Sequence, residues 1–137
     1  MNVFDFHQRH DVKADPETEG LGTLAIGAAI EVHRHLGPGL PEIAYRKALA
    51  HELTLRGVEC ACEFPVPIVY KGREVGDYRV DLIVEDTVVV EIKSVDRLDR
   101  VFDAQVLTYL RVTGKHVGLL INFNSRLVTD SIKRFVL

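Results

Sequence analysis

Tryptophan is absent from this sequence of 137 residues, methionine occurs once and cysteine only twice. Two cysteines cannot supply the disulfide framework of a small secreted domain, and Cys60 and Cys62, two apart on a strand, are poorly placed to pair with each other. Without further soft ligands nearby they do not make a zinc site either, and buried free thiols are expected. The first residues, MNVFDFHQRHDVKADPE, are polar where a secretory leader needs an apolar stretch, so a reducing, cytoplasmic setting is expected. No apolar run approaches the roughly 18 residues that cross a bilayer, so no membrane partner is expected. Charge of one sign is not in excess: 17 Lys and Arg stand against 20 Asp and Glu, a net −3. A nucleic-acid partner would therefore have to meet a local basic patch. Phosphate-cradling loops are missing too, because Gly20-Leu21-Gly22 and Gly37-Pro38-Gly39 follow no strand and lack the Lys-Ser/Thr of a P-loop. What is present is ordinary: 47% hydrophobic and 27% charged residues. A chain of this length forms one domain that buries about two-thirds of its unfolded surface.

Residues 1–16 read as an arm or tail without periodicity, and residues 17–137 as the domain. From Glu19, apolar and small residues recur at helical spacing to Leu36, where Gly37-Pro38-Gly39 stops the helix. His33 and His35, two apart on it, point to opposite sides and cannot chelate one metal. His33, on the apolar stripe, reads as a hydrogen-bonded packing residue. A second helix is expected from Leu40 to Arg56. The period then becomes two: Val58, Cys60, Cys62 and Phe64 alternate with polar residues as a half-buried strand, and Pro65 and Pro67 mark it as an edge or bulged strand. Lys71-Gly72 is a turn. Tyr78 to Val84 and Val88 to Val95 are two strands, Asp99 to Val112 a helix capped by Asp99 or Asp96, Val117 to Asn122 a buried strand, and Ile132 to Leu137 an edge strand. The expected fold is an α/β sandwich with a mixed sheet flanked by helices, its core in α-β-β-β-α-β order, and the strands around the last helix should run parallel.

The turn Glu85-Asp86-Thr87 sets Val84 opposite Val88 and Asp81 opposite Glu91. Alternation then places Asp81, Glu91 and Lys93 on one face, with Val80, Leu82, Val84, Val88, Val90 and Ile92 on the other. Facing carboxylates repel, which favours something positive between them. Asp and Glu oxygens suit Mg²⁺ or Mn²⁺, which would polarise a phosphoryl oxygen and acidify a water, with Lys93 orienting that water and offsetting charge on the phosphate. The same three residues also describe a solvated hairpin face with Lys93 paired to a carboxylate. Gln105 also fits an exposed helix position and Tyr109 a core position.

The segment RVDLIVEDTVVVEIKS resembles the active-site hairpin of the PD-(D/E)XK nuclease superfamily, with Asp81 as the first acidic residue and Glu91-Ile92-Lys93 as E-x-K. Glu42, in GPGLPEIAY, stands where that superfamily often has a helical glutamate completing the metal site. Gln105 to Tyr109 is similar to the Q-x-x-x-Y motif of its recombination-exonuclease branch. Gly39 to Tyr45 carries the pattern of the GxxExxY protein family, whose members also look like this chain at EVHRHLGPGL, YLRVTG and LLINFN. The resemblance runs from Thr18 to Leu137. It implies a nuclease-like fold with a Mg²⁺- or Mn²⁺-type site of Asp81, Glu91 and Glu42, with Lys93 as the water-positioning residue and with Gln105 and Tyr109 in support. DNA is the expected substrate, a homodimer the expected assembly, and a non-cleaving nucleic-acid-binding or protein-assembly module on the same fold the competing reading. Arg97, Arg100, Lys71, Arg73, Arg79 and Lys133-Arg134 are the candidates for phosphate contacts.

Overall fold

Helix α1 (Pro16–Leu36) starts before the expected Glu19 because Asp15 caps it. The Asp15 carboxylate accepts from the Thr18 backbone N–H at 3.0 Å and from its hydroxyl at 2.7 Å, and these bonds hold its carboxyl below the ordinary value. This computed structural model describes residues 14–137, so the arm expected over residues 1–16 lies, up to residue 13, outside the described residues. Gly37 ends α1 in the left-handed region at φ 67°, its N–H bonded to the His33 carbonyl at 2.8 Å. Helix α2 (Glu42–Leu55) begins later than expected, because Pro41 stays extended as its cap.

The strands are β1 (Cys60–Val66), β2 (Val69–Tyr70), β3 (Arg73–Glu74), β4 (Tyr78–Val84), β5 (Val88–Lys93), β6 (Val117–Asn122) and β7 (Ile132–Val136). Helix α3 (Arg100–Thr113), capped by Asp99 and closed by left-handed Gly114, joins β5 to β6. The main sheet runs β1-β4-β5-β6-β7; β5 and β6 are parallel and every other neighbouring pair is antiparallel, giving the expected mixed sheet. The small hairpin β2–β3 was not anticipated, since strands of two residues are too short to show a period.

Helices α1 and α2 cover one face, with Ala25, Ala29, Val32, Leu49 and Leu53 against Leu82, Val84, Val90, Ile92, Leu119 and Ile121. Helix α3 covers the other, with Val106, Leu107 and Leu110 against Ile83, Val89, Leu120 and Phe135. Its approach depends on Gly118 in β6, where a Cβ would stand 2.8 Å from Val106 Cγ1.

Two expectations for the strands fail. The alternation at Cys60, Cys62 and Phe64 does not mark a buried face: Cys62 and Phe64 are exposed and Cys60 is half-buried. Cys60 and Cys62 stand opposite Val84 and Leu82 on the α1–α2 side, whereas Phe64, after the left-handed Glu63, stands opposite Val80 on the α3 side; β1 is the outer strand of the sheet, and Cys62 and Phe64 stay exposed on it. An open cavity of about 780 Å³ follows the uncovered stretch, lined by Cys60, Ala61, Phe64 and Ile83 among others. In addition, Val80 packs with the α3-side cluster, not with Leu82 on the other side. The strand deviates at Asp81, which has no ladder partner on either side, and Glu63 beside it sits in the left-handed region at φ 50°.

Candidate active site

The β4–β5 hairpin keeps its expected register, Val84 opposite Val88, Ile83 opposite Val89 and Leu82 opposite Val90. One step further the main-chain ladder ends and side chains take over. Glu91 Oε1 accepts the Asp81 N–H at 2.9 Å, and Asp81 Oδ2 accepts the Ile92 N–H at 2.8 Å. The two carboxylates thus replace main-chain carbonyls as acceptors, which leaves the backbone satisfied while the strands separate. Asp81 and Glu91 are brought together as the alternation required.

Their electrostatics are strained. Glu91 is 3% exposed. Burial, then the charge of Asp81, pushes its carboxyl up to about 8, against opposing contributions from the Asp81 N–H and Lys93. Burial also raises Asp81, while the Ile92 N–H, Arg46 and Lys93 pull it down and a hydrogen bond from the Glu91 carboxyl helps. Burial and the two neighbouring charges therefore favour retention of a proton by the pair. Such a donor set, hard oxygens held close with too little positive charge around them, fits a divalent cation that would displace that proton.

Lys93 follows Glu91 by two positions, and alternation brings it to the α3 side. Its Nζ lies 4.6 Å from the centroid of the Phe102 ring. Among the described residues no carboxylate is in ion-pair contact with it, so the reading of Lys93 as a mere salt-bridge partner does not hold. The residue that does pair is Arg46 on α2, 3.7 Å from Asp81 Oδ1 and 3.5 Å from Glu63 Oε1, which the sequence puts on the Glu42 face but to which it assigns no site role. The signal was available, because Arg46 lies four residues after Glu42 on the same helix face.

Glu42 opens α2 and is exposed; its charge reaches Glu91, but no hydrogen bond joins it to the other carboxylates. Among the described residues no three His, Cys, Asp or Glu side chains stand ready as a metal cluster. The loop before Glu42 is nevertheless anchored. The Tyr45 hydroxyl donates to the Gly37 carbonyl at 2.5 Å and accepts the Leu40 N–H at 3.1 Å, and its ring stacks on Phe123 with centroids 4.6 Å apart. Ser94, next to Lys93, donates to the Leu40 carbonyl at 2.6 Å. His33, buried as expected, donates from Nε2 to the Ser125 carbonyl at 2.8 Å. Asn122, opposite Lys93 on β6, clasps Val95 through both its N–H and its carbonyl, at 3.1 and 2.9 Å. Tyr45, Ser94 and Asn122 therefore fix the segments that carry Glu42 and Lys93.

On α3, Gln105 Nε2 donates to the Tyr109 hydroxyl at 3.0 Å. Burial, then the charge of Glu91, raises the Tyr109 hydroxyl above its ordinary value, so this pair lies beside the carboxylates. The basic residues are divided. Lys133 pairs with Asp103 at 3.2 Å and Arg134 with Glu19, ties that hold β7 to the flanking helices, while Lys71 and Arg73 are exposed on the β2–β3 hairpin.

No helix among the described residues is long and apolar enough to cross a membrane. No curated protein and no solved structure matches the chain. A family model described as the PD-(D/E)XK nuclease superfamily matches residues 19–135, and the mixed sheet with its broken hairpin agrees with that match: the chain belongs to the PD-(D/E)XK nuclease superfamily.

Proposed function

We propose that this protein is a metal-dependent nuclease of the GxxExxY group, acting in the cytoplasm on DNA phosphodiester bonds through an Asp/Glu-x-Lys site. The observation that carries the reading is the opened ladder, where Asp81 and Glu91 each accept a main-chain N–H of the other strand, with a Lys93 ammonium two positions on that is in ion-pair contact with no carboxylate among the described residues. Asp81 and Glu91 would hold Mg²⁺ or Mn²⁺, with Glu42 completing the shell from the start of α2. The ion would supply polarisation of a phosphoryl oxygen and a more acidic water. Lys93, a donor only, orients the attacking water and offsets charge that develops on the phosphate as its ester bond breaks. Gln105, one amide N–H of which goes to Tyr109, keeps its carbonyl oxygen to brace Lys93 or that water, and Tyr109 backs it.

A chain of this size touches only a short stretch of duplex, and a pair of chains is part of the proposal; light scattering that gives a monomer at every concentration would remove that part. Calorimetric titration with Mn²⁺ should give heat for the wild type and none for Asp81→Ala. Cleavage of DNA with Mn²⁺ should disappear in Glu91→Ala and in Lys93→Ala, the latter with folding and metal binding retained. Negligible heat in wild type and Asp81→Ala alike would refute the metal site. The exposed position of Glu42 and the lack of a ready three-ligand cluster among the described residues favour a second reading, a domain that holds nucleic acid without cutting it. Binding without metal-dependent products would establish that reading.

A further inference from the structure

A second cavity, of about 270 Å³, opens against the Gln105–Tyr109 pair. Its lining is Ile68, Val75, Tyr78, Gln105, Thr108 and Tyr109. Tyr109, hydrogen-bonded to Gln105 on the cavity wall, also feels the charge of the carboxylates, Glu91 more than Asp81. The rest of the wall is apolar and comes from the root of the β2–β3 hairpin, which the Val75 N–H closes on the Ile68 carbonyl at 2.9 Å.

Tyr78 is the unusual member. It starts the strand that carries Asp81, yet it is 47% exposed, a large ring left at the mouth of a pocket. Gly76 packs against that ring: a Cβ there would lie 2.2 Å from Tyr78 Cε2, so only glycine lets the ring adopt this position. The hairpin tip adds Tyr70, 63% exposed with Lys71 Nζ at 5.4 Å from its ring centroid, and Arg73. Arg79, next on the strand and turned by alternation to the other face, pairs with the exposed Asp77 at 3.5 Å.

An aromatic face, an apolar wall, an amide and hydroxyls, and the exposed Lys71 and Arg73 on the hairpin whose root forms that wall are what an unpaired base on a phosphate chain requires. We propose that this cavity takes one unpaired nucleobase next to the phosphate presented to Asp81 and Glu91, stacked on Tyr78 with its edge against Gln105 and Thr108. The inference rests on the nuclease reading and narrows its substrate to single-stranded DNA or unpaired strand ends. A base within continuous duplex is stacked and paired, and has no free face to offer Tyr78.

The test is fluorescence anisotropy in EDTA, where no cleavage occurs, with a labelled oligothymidylate, the same strand with abasic sites, and a blunt duplex. The wild type should bind the oligothymidylate at least tenfold more tightly than the abasic strand or the duplex. Tyr78→Ala should lose about tenfold to a hundredfold on the oligothymidylate alone, as removal of one base–aromatic stack does, and Tyr78→Phe should retain the affinity. Equal binding of the oligothymidylate and abasic strands by the wild type would overturn the proposal, even were Tyr78→Ala unable to fold. Mn²⁺-dependent cleavage lost in Glu91→Ala but accompanied by no base preference would overturn the pocket and leave the nuclease reading standing. Base-dependent binding with no cleavage under any metal would support the pocket and refute the nuclease reading.

Discussion

Replacing Glu91 by glutamine should stabilise the metal-free protein at neutral pH, although it alters the most buried acidic side chain of the site. The amide oxygen can still accept the Asp81 N–H that Glu91 Oε1 accepts at 2.9 Å, and the amide N–H can donate to the neighbouring Asp81 carboxylate. What disappears is the titration. In the unfolded chain Glu91 ionises near its ordinary 4.5, whereas burial and Asp81 push it to about 8 in the fold. The folded pKa is raised, so below 4.5 the carboxyl is protonated in both states and nothing is lost. As pH rises from there toward 8 the unfolded chain releases a proton that the native state keeps, and stability falls by about 1.4 kcal/mol per unit. At pH 7 the accumulated loss is about 3 kcal/mol, and Glu91→Gln removes it. Urea unfolding in EDTA, followed by circular dichroism from pH 4 to 8, should show coincident curves at the acid end. At pH 7 the variant midpoint should lie about 1–3 M higher. Excess Mn²⁺ should then raise the wild-type midpoint and leave the variant nearly unmoved, since a ligand stabilises only the state that binds it. A variant less stable than wild type at pH 7, or a gap that does not close at pH 4, would refute the account of a strained, proton-sharing pair.

Three further outcomes follow from the packing. Tyr45→Phe removes the hydroxyl that joins the Gly37 carbonyl and the Leu40 N–H, and should cost about 1–2 kcal/mol in a thermal or urea melt while reducing Mn²⁺ affinity through displacement of Glu42; an unchanged metal titration would sever that link. Gly118→Ala drives a methyl to 2.8 Å from Val106 Cγ1 and should destabilise the fold by about 1–3 kcal/mol in urea without altering the site's metal affinity per folded molecule. Cys62, exposed, should react with a disulfide reagent at pH 8 well ahead of Cys60, whose thiol is pushed to about 11 by burial and by Cys62; comparable rates for Cys60→Ser and Cys62→Ser would contradict this.

The elements legible in the sequence were those with a long period or a hard stop. Helix α3 was bounded by Asp99 and Gly114, β6 by its run of apolar residues, and the β4–β5 register by a three-residue turn that pairs Val84 with Val88. The meeting of Asp81 with Glu91 followed from that register alone. Coverage was not legible. Alternation at Cys60, Cys62 and Phe64 states that a strand has two different faces, but it cannot state that β1 is the outer strand or that Glu63 turns Phe64 to the α3 side while Cys60 and Cys62 face α1 and α2. Nor could alternation foresee its own failure at Val80, where the missing main-chain partner of Asp81 and the left-handed Glu63 redirect the strand. Arg46 was missed because a cation one helical turn after a glutamate reads as a surface pair until the tertiary fold brings Asp81 to it.

The break at Asp81 makes sense as the solution to a conflict within the sheet. A continuous ladder would hold Asp81 and Glu91 at main-chain spacing, with two carboxylates competing for the same dry volume. Ending the ladder there lets each carboxylate accept a main-chain N–H, which removes the backbone penalty, and leaves one residual conflict, the pair's own repulsion. In the metal-free protein a shared proton relieves that repulsion from within, and Arg46, 3.7 Å from Asp81, relieves it from outside. Lys93 adds its charge to both carboxylates, yet its ammonium sits over Phe102 without an ion-pair contact to either, so it stays available to a substrate. Arg46→Met tests this division of labour. If Arg46 is the counter-charge of the metal-free state, its loss should lower stability in EDTA by about 1–2 kcal/mol while Mn²⁺ restores most of it, because the ion takes over the neutralisation. A loss that Mn²⁺ fails to restore would assign Arg46 to packing, and an absence of any loss would mean that the proton alone holds the pair together.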